Sequence, residues 1–154
     1  MTRFVVFMIG PYRLMVDALR VRELLVCDAG GRISGGGHLS WRGLSLTEIG
    51  LATLLGVIVP AEAGAVDLVY GEENGESGPT VAFRADRVLG LRALTVADIL
   101  PLPPLATPQL AHLFAGLCLD PTDRKGILWL DARPAMLLEL WRDHNHGSGA
   151  RHEH

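Results

Sequence analysis

Gly37–Gly56 reads GHLSWRGLSLTEIGLATLLG, and an Arg-Gly pair at 42–43 divides it into two short apolar segments. Leu39 and Trp41 precede the pair, while Leu44, Leu46, Ile49 and Leu51 follow it. Glycine accepts the backbone conformations that a sharp reversal needs. The arginine guanidinium offers several donors in a rigid planar fork. A fixed cation thus stands at a turn between segments that can be buried. Two roles fit it: a solvated hairpin residue, or a contact group on a binding surface. No catalytic signature lies in the stretch.

Outward from this segment, short strands punctuated by turns dominate. Phe4–Ile9 is a β-branched and aromatic run ended by Gly10-Pro11, and Arg13–Val16 reads as its return strand. Ala18–Leu24 predicts a short helical turn leading into a strand over Leu24–Cys27. Five glycines among residues 28–37 predict a loop. Leu51–Leu55 predicts one helical turn ended by Gly56, and Val57–Val59 a strand stopped by Pro60. Ala65–Tyr70 and Thr80–Arg84 predict a hairpin whose acidic tip, with Glu72, Glu73 and Glu76, is solvated. Phe83–Leu94 and Ala111–Leu119 supply further strands, and Gly126–Leu130 pairs back across residues 120–124. Strands at roughly ten-residue spacing predict small β-barrels. Helical patterning is confined to Pro134–Trp141, where proline suits the first turn. Arg142–His154 is polar, with Gly147-Ser148-Gly149 at its middle, and is expected to be disordered.

Composition sets bounds on function. A chain of 154 residues fits one domain with one core. Apolar residues make up 49% and charged residues 20%, which leaves apolar surface for a partner. The net charge of −3 argues against nucleic-acid binding, which calls for a basic patch. Ile99–Leu119 lacks charged residues, but Pro101, Pro103, Pro104 and Pro108 forbid a continuous membrane helix. The opening apolar run is too short for a signal peptide. Direct membrane insertion is therefore not expected, and the cytoplasm is the expected compartment.

Catalytic and metal chemistry find little support in the residues. Cys27 and Cys118 read as small buried hydrophobes rather than a disulfide, and no Cys-x-x-Cys occurs. His144, His146, His152 and His154 read as part of the tail rather than a metal site, and His38 and His112 stand alone. No G-x-S-x-G is present, and the glycines of residues 30–37 fit neither a dinucleotide-binding nor a phosphate-binding loop. Asp86 and Asp131 end apolar runs, where they suit turn capping better than paired acid–base catalysis. No catalytic residue, cofactor or metal is expected.

The order of segments over about 135 residues resembles the CheW-like domain. That module forms bacterial chemotaxis coupling proteins and the regulatory domain of the chemotaxis histidine kinase CheA. Phe4–Leu24 resembles the family's opening hairpin, followed by its Val-x-Glu-Ile/Leu element at Val21, Glu23 and Leu24. Gly37 and Ser40-Trp41-Arg42-Gly43 stand in place of Gly-x-x-Asn-Leu-Arg-Gly. Ala85-Asp86-Arg87-Val88 matches Val-Asp-x-Val, Ile99–Pro103 the proline-rich link, and Gly116 with Gly126–Asp131 the closing hairpin. The chain departs from the pattern in a shorter stretch between Glu23 and Arg42, in Thr47 for proline and in Gly50 for aspartate.

The resemblance implies an all-β fold: two intertwined five-stranded SH3-like β-barrels sharing one core, with a short C-terminal helix. Residues 1–142 would form this domain and 143–154 a disordered His-rich tail. It further implies a non-enzymatic adaptor joining the cytoplasmic tip of a chemoreceptor to the CheA regulatory domain. The positions that match the family's receptor-facing surface are Val21, Glu23, Gly37 and Arg42. Two alternatives stand beside this reading. One is a CheW-like interaction domain in a surface-motility or second-messenger complex. The other is a small β-barrel ligand binder or enzyme with the groove between barrels as its pocket.

Overall fold

Both faces of the first strand are buried, which accounts for its unbroken apolar sequence. The computed structural model describes residues 1–26, 37–58, 65–73, 77–104 and 108–152. Its strands are β1 (Thr2–Ile9), β2 (Tyr12–Asp17), β3 (Val21–Val26), β4 (His38–Trp41), β5 (Leu44–Ile49), β6 (Val66–Tyr70), β7 (Val81–Ala85), β8 (Arg87–Leu94), β9 (Phe114–Leu119) and β10 (Gly126–Leu130). Helix α1 (Leu51–Leu54) lies between β5 and β6, and α2 (Pro134–His152) follows β10. On β1, Phe4 and Val6 pack with Met15, Cys118 and Ile127 of their own sheet. Val5, Phe7 and Ile9 on the other face join a larger cluster that includes residues of a second sheet. A strand buried on both faces reads as a continuous apolar run rather than an alternation.

The strands form two five-stranded sheets, ordered β8-β1-β2-β10-β9 and β3-β6-β7-β5-β4. Their pairing follows one scheme. In each, two antiparallel hairpins are joined by a single parallel pair, β2 with β10 or β5 with β7. A fifth antiparallel strand, β8 or β3, lies on the outer edge. The chain begins in the first sheet, builds all of the second, and returns to the first at β8. Beyond β8, Leu100 exchanges backbone bonds of 2.7 and 3.0 Å with Leu117 on the opposite edge strand, so the first sheet curls almost closed. The fold is therefore all-β with two curled sheets, as expected.

One core joins the sheets. Phe7 of β1 and Phe83 of β7 lie 5.5 Å apart between ring centroids, and Tyr70 of β6 meets Phe83 edge-on at 5.5 Å. Leu137 of α2 is fully buried in the same cluster. The Tyr70 hydroxyl donates to the Ala132 carbonyl at 2.6 Å, tying the second sheet to the segment that enters α2. Burial pushes the Tyr70 phenol well above its ordinary value.

Several expectations need correction. The turn after β2 is a 3-10 turn limited to Ala18–Arg20, and β3 starts at Val21. Residues Pro108–Leu113 form a 3-10 turn, so β9 begins at Phe114 rather than Ala111. Val57 and Ile58 are not in a strand, and Val59 lies outside the described residues. Cys118 is buried as expected, while Cys27 also lies outside them. Glu72 is not solvated: it is 5% exposed and meets Arg20 at 3.4 Å and Arg133 at 3.5 Å. A carboxylate can be buried when arginines compensate the lost water, and those partners are 52 and 61 residues away in the chain. Helix α2 spans Pro134–His152. No proline interrupts it beyond its first residue, and each glycine in it opposes a helix by only about 1 kcal/mol. Trp141 and His144, stacked at 5.6 Å, bridge one turn of it.

The glycine at position 50 has a packing cause. A Cβ added there would lie 2.5 Å from the Trp141 ring, so α2 docks against bare backbone at the end of β5. Gly50→Asp, which restores the family's aspartate, should force the indole away. Overpacking of this kind costs about 1–3 kcal/mol. Thermal melts of Gly50→Asp, of Trp141→Ala and of the double variant check this. Trp141→Ala should cost less in the Gly50→Asp background than alone; equal costs would show that the two residues do not meet.

Candidate functional site

The curl of the second sheet turns its two edges, β3 and β4, toward each other, and three side chains span the gap. Trp41 and Leu44 pair at the end of the β4–β5 hairpin, leaving Arg42-Gly43 as a two-residue loop. Both loop residues have positive φ, 49° and 77°. Such a mirror-image turn matches the right-handed twist of the strands, but it normally selects Asn, Asp or Gly at its first position. An arginine there is held by its side chain. Arg42 Nη2 donates to Glu23 Oε1 on β3 at 3.0 Å, and Trp41 Nε1 donates to the same oxygen at 3.3 Å. The guanidinium carbon also lies 4.9 Å above the Trp41 ring. The side chains of Arg42 and Glu23 are 70% and 36% exposed, so their pair contributes little to stability, on the order of 0.2–1 kcal/mol.

Val21 lies two residues before Glu23, across a β-bulge, and pairs with Tyr70. It is partly buried against the shared core. The fold thus brings Val21, Glu23 and Arg42 to one edge. Gly37 stands apart, at the start of β4, roughly 13 Å from Trp41 along the strand. Its φ is 86°, and its carbonyl accepts the Glu48 N–H at 2.9 Å. Around the edge, Leu19, Leu24 and Leu44 are exposed apolar side chains.

Trp41 is the component that sequence reading did not single out. An indole just before an Arg-Gly turn was its available signal, because a two-residue loop sets the aromatic beside the guanidinium. The partnership with Glu23 had no local signal, since 18 residues separate the two.

Other candidate chemistry is sparse. A groove of about 380 Å³ opens where β8 approaches β9, with Leu94, Leu100, Cys118 and Leu119 in its lining. It belongs to the first sheet, not to a cleft between the two. Burial, with a smaller contribution from Asp98, raises the Cys118 thiol, which opposes thiolate nucleophilicity. The Asp86 carboxylate accepts the Gly10 N–H at 2.8 Å, fixing the β1–β2 turn. His38 and His112 stand apart from any such cluster. Among the described residues, no group of three His, Cys, Asp or Glu side chains is placed to hold a metal. No described helix is long and apolar enough to cross a membrane.

Two interlocked five-stranded sheets around one core give the chain a CheW-like fold. A solved counterpart is the scaffolding protein TtCheW from Thermoanaerobacter tengcongensis, with a TM-score of 0.67 at 18% identity. The match covers 86% of this chain and 85% of that one. No family model matches the sequence, and no curated protein matches it.

Proposed function

We propose that the chain is a non-enzymatic scaffold that couples the cytoplasmic tip of a chemoreceptor to the regulatory domain of a CheA-type histidine kinase. The observation that carries this reading is the convergence of Val21, Glu23 and Arg42 on one edge of a CheW-like fold. A helical hairpin laid against that edge needs apolar contact and polar groups that set its register. Leu19, Leu24 and Leu44 supply the first, and the Arg42 guanidinium supplies the second. The likeness to a scaffolding protein supports the same role.

Arg42→Ala is the test. It should weaken binding of a cognate receptor-tip fragment by about three- to tenfold, the effect of losing one rim charge. Its melting temperature should fall by less than about 4 °C, because the exposed pair contributes about 1 kcal/mol at most. Calorimetric titration and a thermal melt on one purified variant give both numbers. Unchanged affinity, or a melting temperature lowered by roughly 10 °C, would remove Arg42 from the receptor contact.

A further inference from the structure

Arg42 occupies a backbone region in which side chains other than those of Gly, Asn and Asp are disfavoured. Strain of this kind persists only where the surroundings over-determine it, and it concentrates at binding sites. Here the surroundings are two groups. Glu23 takes one guanidinium N–H, and the Trp41 ring lies under the guanidinium. Trp41 is itself fixed twice, by its indole N–H on Glu23 and by packing against the interior of the second sheet, where Leu39, Leu46, Val69 and Ala82 are buried.

The arrangement leaves most of the guanidinium unused. An arginine carries five N–H donors, and Glu23 is the one hydrogen-bond acceptor that Arg42 has among the described residues. A cation held on a ring, with free donors aimed outward, loses less conformational freedom on meeting an acceptor than a mobile one does.

We infer that Trp41 is a positioning residue: it pre-organises the Arg42 guanidinium on its ring so that the free donors meet carboxylate or carbonyl oxygens of the docking partner. The inference rests on the receptor reading given above. Trp41 acts through Arg42, and its effect on binding disappears when Arg42 is absent. Glu23 has a divided role. It anchors both members of the clasp, so its loss disturbs Trp41 and Arg42 together.

A double-mutant cycle tests this, using the full chain and a soluble receptor-tip hairpin as the probe. Trp41→Leu should weaken binding about two- to fivefold, the scale of an exposed cation–π contact. In the Arg42→Ala background, it should have no further effect. Trp41→Phe keeps an aromatic ring under the guanidinium while giving up the indole N–H and the second ring, so it should lose less than Trp41→Leu, which guards against a folding defect in the leucine variant. Equal losses from Trp41→Leu in both backgrounds would overturn the inference, because Trp41 would then act by contact or by folding. A second readout needs no receptor. Ring current from Trp41 should shift the Arg42 δ-methylene protons upfield in the wild-type chain and in Trp41→Phe, and the shift should vanish in Trp41→Leu. Random-coil positions in the wild type would overturn the pre-organisation directly. If the upfield shift is present but Arg42→Ala binds like the wild type, it is the receptor reading that fails, and the role of Trp41 falls with it.

Discussion

Phe83→Ala should lower the stability of the whole domain by about 3–5 kcal/mol, the usual cost of emptying a buried phenylalanine site. For a domain of this length, that corresponds to a fall of roughly 10–15 °C in melting temperature. Phe83 is fully buried and lies between the two sheets, in contact with Phe7 of the first and Tyr70 of the second. The cavity would open in the one core that both sheets use. The loss should therefore appear as a single cooperative transition rather than as melting of one sheet. Trp129 on β10 reports on the first sheet, and Trp41 on β4 reports on the second. With fluorine-labelled tryptophan, both signals should lose intensity at the same temperature in the wild type and in Phe83→Ala. Two separated transitions in the variant would show that the sheets are independent domains, and the shared core would have to be abandoned.

Much of this architecture is legible in the sequence. The unbroken run of β1 signalled a strand, and the Gly10-Pro11 turn and its return strand followed from turn chemistry. What sequence reading did not give was the order of strands within the sheets. The parallel pairing of β2 with β10 joins residues 114 positions apart, such as Leu14 and Leu128, and no local pattern encodes it. The same physics hid the environment of Glu72. A local reading places an acidic tip in water, whereas Arg20 and Arg133 converge on that carboxylate from distant segments. At the candidate site, Val21, Glu23 and Arg42 came from the family resemblance, and their meeting depends on the curl that brings β3 and β4 together. Gly37 came from the same resemblance, yet it lies just before β4, at the end of the strand away from Trp41. A short motif specifies residue types, and the direction of a strand decides which of them share an edge.

The largest electrostatic effect is expected at Asp120. Its side chain is fully buried at the end of β9 and accepts bonds from Arg13 Nη1 at 2.9 Å, Arg92 Nε at 3.2 Å and the Thr122 N–H at 2.9 Å. Arg13 lies on β2 and Arg92 on β8, so one carboxylate joins three parts of the first sheet. Asp120→Ala would take this acceptor from all three donors, leaving Arg13 with Asp123 at 2.8 Å and Arg92 with the Leu91 carbonyl at 3.1 Å. Breaking a buried ion pair typically costs about 3–5 kcal/mol. Burial alone would raise this carboxyl. The Thr122 N–H and the Arg92 guanidinium outweigh it, so the group titrates below the ordinary carboxylate range. A folded value below the unfolded one means that the contribution is complete above the unfolded value of about 3.9, and is lost as pH falls through the folded value. The stability gap between wild type and Asp120→Ala should thus stay constant from about pH 8 to 5 and narrow below about 4. Asp123, also lowered, first by the Lys125 N–H and then by Arg13, titrates in the same direction, and it remains in the variant. Asp120 raises Asp123 and shares Arg13 with it, so the difference between the two proteins reports Asp120 together with that coupling. Urea unfolding of both proteins from acid to neutral pH measures that difference. A gap below about 1 kcal/mol at neutral pH, the range of exposed pairs, or a gap that does not narrow in acid, would show that Asp120 does not hold the first sheet together.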